Sequence, residues 1–335
     1  MQGIILENLC ELKKAKALLA FSHGIDSTAL FHLLRQNGVS FACALINYKT
    51  RKNSDKEQAS AKALCKAYGV EFFSVKASIK SGNFESKARE FRYKFFYELC
   101  DKYGFDTLIL AHQLNDLFEW FLLRLSKGAG LANALGFSAY SKYEIKENFK
   151  ISIARPLIYT SRDEILEYLK RYKYEYFIDS SNYDEKHSRN FFRHNYSDSF
   201  VKLFASGLRA SFKALERDKK VLLGEFFYQK NLFFILKRSP SEIDLIDKAC
   251  KRAGVVLSAL SRAEIIKQNA LVVSHKIAIA KNENFIYISP FSKTQMPKNF
   301  KEQCRVLKIP PLIRPYLYEN LELFAEISII IRQNH

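Results

Sequence analysis

A chain of 335 residues with 48% hydrophobic side chains has the length of about two domains and ample material for a core, which excludes a disordered tail. Its 53 Lys and Arg against 35 Asp and Glu give a formal net charge of +18. That excess favours an anionic macromolecular partner and points to nucleic acid.

Taken in chain order, short apolar runs at residues 17–21, 41–46, 70–75 and 107–111 predict buried strands. Helical patterns at 28–35, 54–68, 84–103 and 116–125 alternate with them. Such alternation predicts an α/β fold with a parallel, doubly wound sheet and a ligand at the carboxyl ends of its strands. A fifth strand is predicted at 151–154, then a helix over 161–171 capped by Ser161, with Glu164 three residues on. After residue 200 the pattern changes. Residues 200–227 read as a long helical connection carrying Lys202, Arg209, Lys213, Arg217, Lys219 and Lys220. Beyond residue 231, β-like runs at 233–236, 285–288 and 327–331 mix with helices. The expected organisation is an α/β domain over 1–200, a helical connection over 201–230 and a small α+β domain over 231–335.

The six cysteines form no C-x-x-C pair and show no zinc-ligand spacing, which predicts free, largely buried thiols of a reducing cytosol. An N-terminus with Glu7 and Glu11 and no apolar h-region predicts no secretory signal, and no uncharged run reaches the ~18 residues of a membrane span. A cytoplasmic protein with no membrane partner is expected.

Chemistry concentrates in two places. The first strand runs into Phe21-Ser22-His23-Gly24-Ile25-Asp26-Ser27, and a helix follows. A strand, a tight turn and a helix N-terminus aim backbone N–H groups and the positive helix end at phosphate oxygens. Ser22 and Ser27 can donate hydroxyl hydrogen bonds, and Asp26 can hold a magnesium ion that bridges phosphates. No Gly-Lys-Ser/Thr follows, so this is not a Walker A loop. The second place follows the fourth strand: Ala111-His112-Gln113-Leu114-Asn115-Asp116-Leu117-Phe118-Glu119-Trp120. On a helix, Asp116 and Glu119 share one face, while Leu117, Phe118, Phe121, Leu122 and Leu125 form a buried stripe opposite. Acids in a first turn also serve simply to complement the helix dipole.

The loop resembles the S-G-G-x-D-S pyrophosphate loop of the ATP pyrophosphatase (PP-loop) superfamily, with His23 in place of a glycine. A positive φ there costs a His more than a Gly. The segment from His112 resembles the H-x-x-D-D-Q-x-E-T signature of bacterial tRNA(Ile)-lysidine synthases, with Asn115 for the first Asp, Leu117 for Gln and Trp120 for Thr. Residues 126–131 resemble its glycine-rich turn, and residues 85–93 its A-R-x-x-R-Y stretch. Arg155-Pro156-Leu157 is similar to R-P-L. Asp179-Ser180-Ser181-Asn182, then Arg189-Asn190 and Arg193, resemble its D-x-S-N and R-N-x-x-R segments. Tyr48 stands where a His often follows the second strand, and Arg51 is retained.

The resemblance implies an adenine nucleotide alpha hydrolase-like fold and a ligase that uses ATP and Mg2+. That ligase joins free L-lysine to C2 of the cytidine at the first anticodon position of a tRNA(Ile) with a CAU anticodon, through an adenylated cytidine, and releases AMP and diphosphate. It further implies that residues 22–27 (Ser22, His23, Gly24, Ile25, Asp26 and Ser27) hold the nucleotide, with Asp26 as the metal ligand. His112 would contact the phosphate or the activated base. Asp116 and Glu119 would bind the lysine ammonium, and Arg89, Arg189 and Arg193 the AMP phosphate or the tRNA backbone. The basic 202–220 helix and the C-terminal domain would face the tRNA, and the resemblance also admits a homodimer. Two alternatives stay open: a 2-thiolation enzyme on the same loop, against which the absence of C-x-x-C counts, and a non-catalytic RNA-binding protein on this scaffold.

Overall fold

The structure, a computed structural model, describes residues 3–49, 54–77, 84–146, 149–177, 191–223, 226–239 and 242–333. The chain forms two compact units, Met1–Glu216 and Arg217–His335. The helix Asp198–Leu223 starts in the first unit and continues into the second.

In the first unit the elements are α1 (Leu9–Lys14), β1 (Ala17–Ala20), α2 (Ile25–Gln36), β2 (Phe41–Asn47), α3 (Ser54–Ala67), β3 (Phe72–Lys76), α4 (Phe84–Tyr103) and β4 (Thr107–Ile109). They continue with α5 (Leu114–Leu125), α6 (Leu131–Ala134), β5 (Tyr140–Lys146), β6 (Phe149–Ala154) and α7 (Arg162–Tyr172). The six strands lie in the order β3-β2-β1-β4-β6-β5, parallel except for β5, which pairs antiparallel with β6 at the edge. Successive strand residues enter opposite cores, as the two-residue side-chain period requires. Leu19, Cys43, Leu45 and Ile109 pack with Leu30 and Leu34 of α2, Cys65 of α3 and Leu169 of α7. Leu18, Ala42, Ala44 and Leu108 pack with Phe96, Leu99 and Cys100 of α4 on the other face. The predicted doubly wound sheet is therefore present, with both faces covered.

The sequence reading omits β5. Its residues, Tyr-Ser-Lys-Tyr-Glu-Ile-Lys, carry charges that suit an edge strand and show no apolar run. Order reverses between β1 and β4: β2 follows β1 on one side, and β4 pairs with it on the other. That switch point leaves a crevice beyond the carboxyl ends of β1 and β4, where a ligand can enter.

The second unit holds β7 (Tyr228–Lys230), β8 (Phe233–Lys237), β9 (Ala270–Val273), β10 (Ile277–Lys281) and β11 (Phe285–Pro290), an antiparallel sheet in the order β7-β8-β11-β10-β9. Phe233, Ile235 and Tyr287 face the helices Lys298–Val306, Arg314–Glu319 and Leu321–Gln333. Phe234, Leu236, Ile286 and Ile288 face Glu242–Arg252 and Ala259–Lys267. The β-like reading of 327–331 is corrected here: the segment belongs to the helix Leu321–Gln333. Leu323, Ile327 and Ile331 are buried four residues apart, and a short apolar run does not distinguish a strand from one face of a helix.

Candidate active site

The pyrophosphate-type loop is held by its own serines. Ser22 Oγ lies 3.0 Å from Ser27 Oγ, the Gly24 N–H donates to Ser22 Oγ, and Ser27 Oγ donates to the Gly24 carbonyl. Gly24 is the N-cap of α2 and no side chain caps the helix, so its first turn opens toward the crevice with its dipole uncovered. His23 does take the left-handed conformation (φ 58°). Its ring turns away from the crevice and is buried between Phe21 and Phe177, with centroids 5.4 and 5.3 Å away. Burial holds its pKa below the usual value, so the ring is neutral near pH 7. The Phe177 N–H donates to the His23 carbonyl at 2.9 Å, which ties the loop to the chain after α7.

A cavity of about 480 Å³ opens beside this loop, with Ser22, Asp26, Tyr48, His112, Asp116 and Phe177 among its walls and three arginines, Arg92, Arg162 and Arg193, around it. Asp26 is half-buried, with Oδ1 enclosed and without a hydrogen-bond partner among the described residues. Desolvation and then the Asp116 charge push its pKa up to about 7, while Arg162 and Arg193 pull it down.

Asp116 and Glu119 are brought together as the spacing predicts, but toward a guanidinium. Arg193 Nε donates to Glu119 Oε1 at 2.6 Å, and its Nη2 donates to Glu119 Oε2 at 3.2 Å and to Asp116 Oδ1 at 3.4 Å. Glu119 is fully buried and is not among the residues lining the cavity, whereas Asp116 lines it. Burial works against the charge of Arg193, and the carboxylates of Glu119, Asp116 and Asp198 outweigh it, so its pKa rises. Asp116 has a second duty: Oδ2 accepts from the Gln113 N–H, closing a capping box at the start of α5. One side chain thus complements the start of α5 and also lines the cavity.

Asn115 is buried and uses both ends of its amide. Nδ2 donates to Asp198 Oδ1 at 2.9 Å, and Oδ1 accepts from the backbone N–H of Arg162 at 3.2 Å. The Ser161–Glu164 capping box forms as the sequence predicts and fixes the start of α7, which carries Arg162 to the cavity. His112 is half-buried on the cavity wall, its ring 4.8 Å from Phe137.

Arg89 is exposed on α4, its guanidinium 4.9 Å from the Tyr93 ring, and is not among the residues lining the cavity. Arg92, one turn on, lines the cavity and donates to Tyr48 Oη at 3.2 Å. Sequence reasoning singled out neither Arg92 nor Arg162, although the first lies in the A-R-x-x-R-Y stretch and the second directly follows the predicted Ser161 cap. Arg51, Asp179, Ser180, Ser181, Asn182, Arg189 and Asn190 lie outside the described residues.

On the connecting helix, two of the expected tRNA-facing cations serve the first unit instead. Arg209 donates to the Tyr159 carbonyl and to Glu164, and Lys213 donates to Glu7. These pairs line another cavity, of about 490 Å³, away from the loop. Its charged side chains Glu7, Glu164, Glu167, Arg171, Arg209 and Lys213 pair with one another, so the site assignment stays with the Asp26 cavity.

A helix opening on a serine-clasped loop at a parallel-sheet switch point, beside carboxylates and arginines, defines a nucleotide-binding α/β protein. Residues 2–199 match the PP-loop domain family. The chain is 46% identical over 315 residues to the tRNA(Ile)-lysidine synthase of Campylobacter jejuni strain RM1221, covering 94% of this chain and 96% of that protein. It is 37% identical to the synthase of Wolinella succinogenes, covering 92% and 94%, and 38% identical to that of Helicobacter pylori strain J99, covering 92% and 90%. The chain belongs to the tRNA(Ile)-lysidine synthase family. Its fold is shared with a solved U34-tRNA thiolase, NcsA from Methanococcus maripaludis, at a TM-score of 0.51 and 18% identity, over 62% of this chain and 73% of that one.

Proposed function

We propose that this chain joins the ε-amine of free lysine to C2 of the cytidine at the first anticodon position of a tRNA(Ile) with a CAU anticodon, at the expense of ATP. The observation that carries the reading is the convergence of Asp26, Asp116, Arg162 and Arg193 on one cavity at the start of α2, in a chain of this family. The cytidine O2 attacks the α-phosphorus and diphosphate leaves; the lysine nitrogen then attacks C2 and AMP leaves. The α2 N-terminus and the two arginines stabilise charge on phosphoryl oxygens during the first displacement.

A magnesium ion fits this donor set. The enclosed, unpartnered Asp26 oxygen and the mutual repulsion of Asp26 and Asp116 favour a cation there. Among the described residues no cluster of three or more His, Cys, Asp or Glu could enclose a metal alone, and Mg2+ is ordinarily held by one or two carboxylates plus substrate phosphates. When bound, it would neutralise charge on the phosphates. Asp116, which lines the cavity, is assigned to the lysine ammonium, and Glu119 to holding Arg193. The thiolation alternative loses ground because no cysteine lines the cavity, and Cys43, Cys65, Cys100, Cys250 and Cys304 are buried.

The test is a reaction of the purified chain with ATP, lysine and the tRNA, followed by nuclease digestion and mass analysis of the anticodon nucleoside. Cytidine should gain the mass of lysine less water, and Asp26→Asn should lower the rate by roughly 100-fold or more. An unmodified cytidine, or an unimpaired Asp26→Asn variant, would refute the reading.

A further inference from the structure

The stretch from Phe191 to Phe204 leaves five large apolar side chains in solvent. Phe191, Tyr196, Phe200, Leu203 and Phe204 are each more than two-fifths exposed. None of the five belongs to a core cluster of the described residues. The same helix already packs Val201 and Phe212, with Leu208 and Leu215, against Leu114, Leu117 and Phe118 of α5. The rings are arranged in advance: Phe118 and Phe200 stack with centroids 5.2 Å apart, and Phe204 lies 4.9 Å from Phe200. Tyr196 stands 5.9 Å from Phe191. The backbone leaves α geometry twice along this flank, in a π-turn over Arg193–Ser197 and in a kink at Phe204 (φ −126°, ψ 22°). π-helical turns are rare and recur at functional sites.

Charge and position name the occupant. From residue 199 to 215 the charged side chains are Lys202, Arg209 and Lys213, with no acid among them. Arg209 and Lys213 are turned to Glu164 and Glu7, and Lys202 is exposed on the same helix as the rings. The nearby acid, Asp198, accepts from Asn115. Arg193 opens the π-turn on the wall of the Asp26 cavity, so the flank begins where that cavity ends. Exposed rings on a stretch that carries cations and no acid from 199 to 215, continuous with the cavity wall, suit bases joined by phosphates, because every base offers a π face and every linkage a negative charge.

We infer that the 191–204 flank is a stacking platform for unpaired RNA bases, namely the nucleotides adjoining the one that enters the cavity. This rests on the reading of the chain as an anticodon-modifying enzyme. Phe200→Leu and Tyr196→Leu remove the π face while keeping an apolar side chain. Binding of a fluorescein-labelled CAU anticodon stem-loop, followed by anisotropy, should weaken roughly tenfold in each variant. Phe200→Tyr should bind as the parent does, and KM for ATP should not move. Tyr196 belongs to no core cluster, so its variant reports even if Phe200→Leu does not fold. Parent-like affinity in the leucine variants would mark the flank as an aliphatic-tolerant protein contact and overturn the platform. Weakened stem-loop binding in a protein that makes no lysidine would sustain the platform and sink the enzymatic reading instead.

Discussion

Asn115 joins three elements through one amide: α5, on which it sits, the backbone N–H of Arg162, and the carboxylate of Asp198. The family motif carries Asp at this position, and in this chain a carboxylate there would face Asp198 across 2.9 Å. Two carboxylates that close cannot both ionise. Asp198 also favours the charged form of Arg193, so a third carboxylate acts on that guanidinium from the start of the next helix. Asn115→Asp alone should lower kcat/KM for ATP roughly tenfold at pH 8, with partial recovery at pH 6 as the pair takes up a proton. Adding Asp198→Asn should restore activity to within about threefold. Steady-state kinetics on the two variants and the parent checks this, and a double variant as impaired as the single one would mean that the pair is not interchangeable.

Asp26 gives a second residue-scale test. Its carboxyl titrates at about 7 in the fold against 3.8 in the free chain, so the folded state holds a proton that the unfolded state has released. The penalty is absent below pH 4, grows between pH 4 and pH 7 and is complete above it. Without nucleotide, Asp26→Asn should therefore raise Tm by several degrees at pH 8 and by much less at pH 5, measured by calorimetry. A substitution that kills turnover while stabilising the fold is the mark of a site held ready for a cation.

At the scale of elements, α5 explains why part of the site was legible and part was not. Sequence spacing placed Asp116 and Glu119 on one face, and the structure keeps them there, because that follows from helical period alone. Which group they meet depends on Arg193, 74 residues beyond Glu119, and no local pattern carries that distance. The same holds for Arg209 and Lys213: a row of cations reads as a nucleic-acid face, but bonds to Glu164 and Glu7 spend two of them inside the first unit. The β5 edge strand escaped for the opposite reason, since solvent on one side erases the apolar signal on which strand prediction depends. Glu119, fully buried and bonded twice to Arg193, should matter more to stability than Asp116. Urea unfolding should show Glu119→Gln costing roughly 3 kcal/mol and Asp116→Asn less. The reverse order would mean that Asp116 is the principal anchor of Arg193.

Across the whole molecule, the sheet order of the first unit sets where the candidate site lies. β1 pairs with β2 through residues Ala17 to Ala20 and with β4 through Ala17 to Leu19, so the ends of both central strands feed the same crevice. The second unit is built differently, as an antiparallel sheet between two helical layers. The long reach from α5 to Arg193 also has a meaning in time. A ribosome makes Asp116 and Glu119 before the arginine that holds them, by 77 and 74 residues, an interval of roughly 4–15 s at ordinary elongation rates. Until Arg193 emerges, the opening turns of α5 cannot bury both acids in charged form, and Val201 and Phe212, which pack with Leu114, Leu117 and Phe118, come later still. Clamping of the two acids of α5 is thus a late event for the nascent chain, and a product cut short before Arg193 would lack the arginine that clamps them.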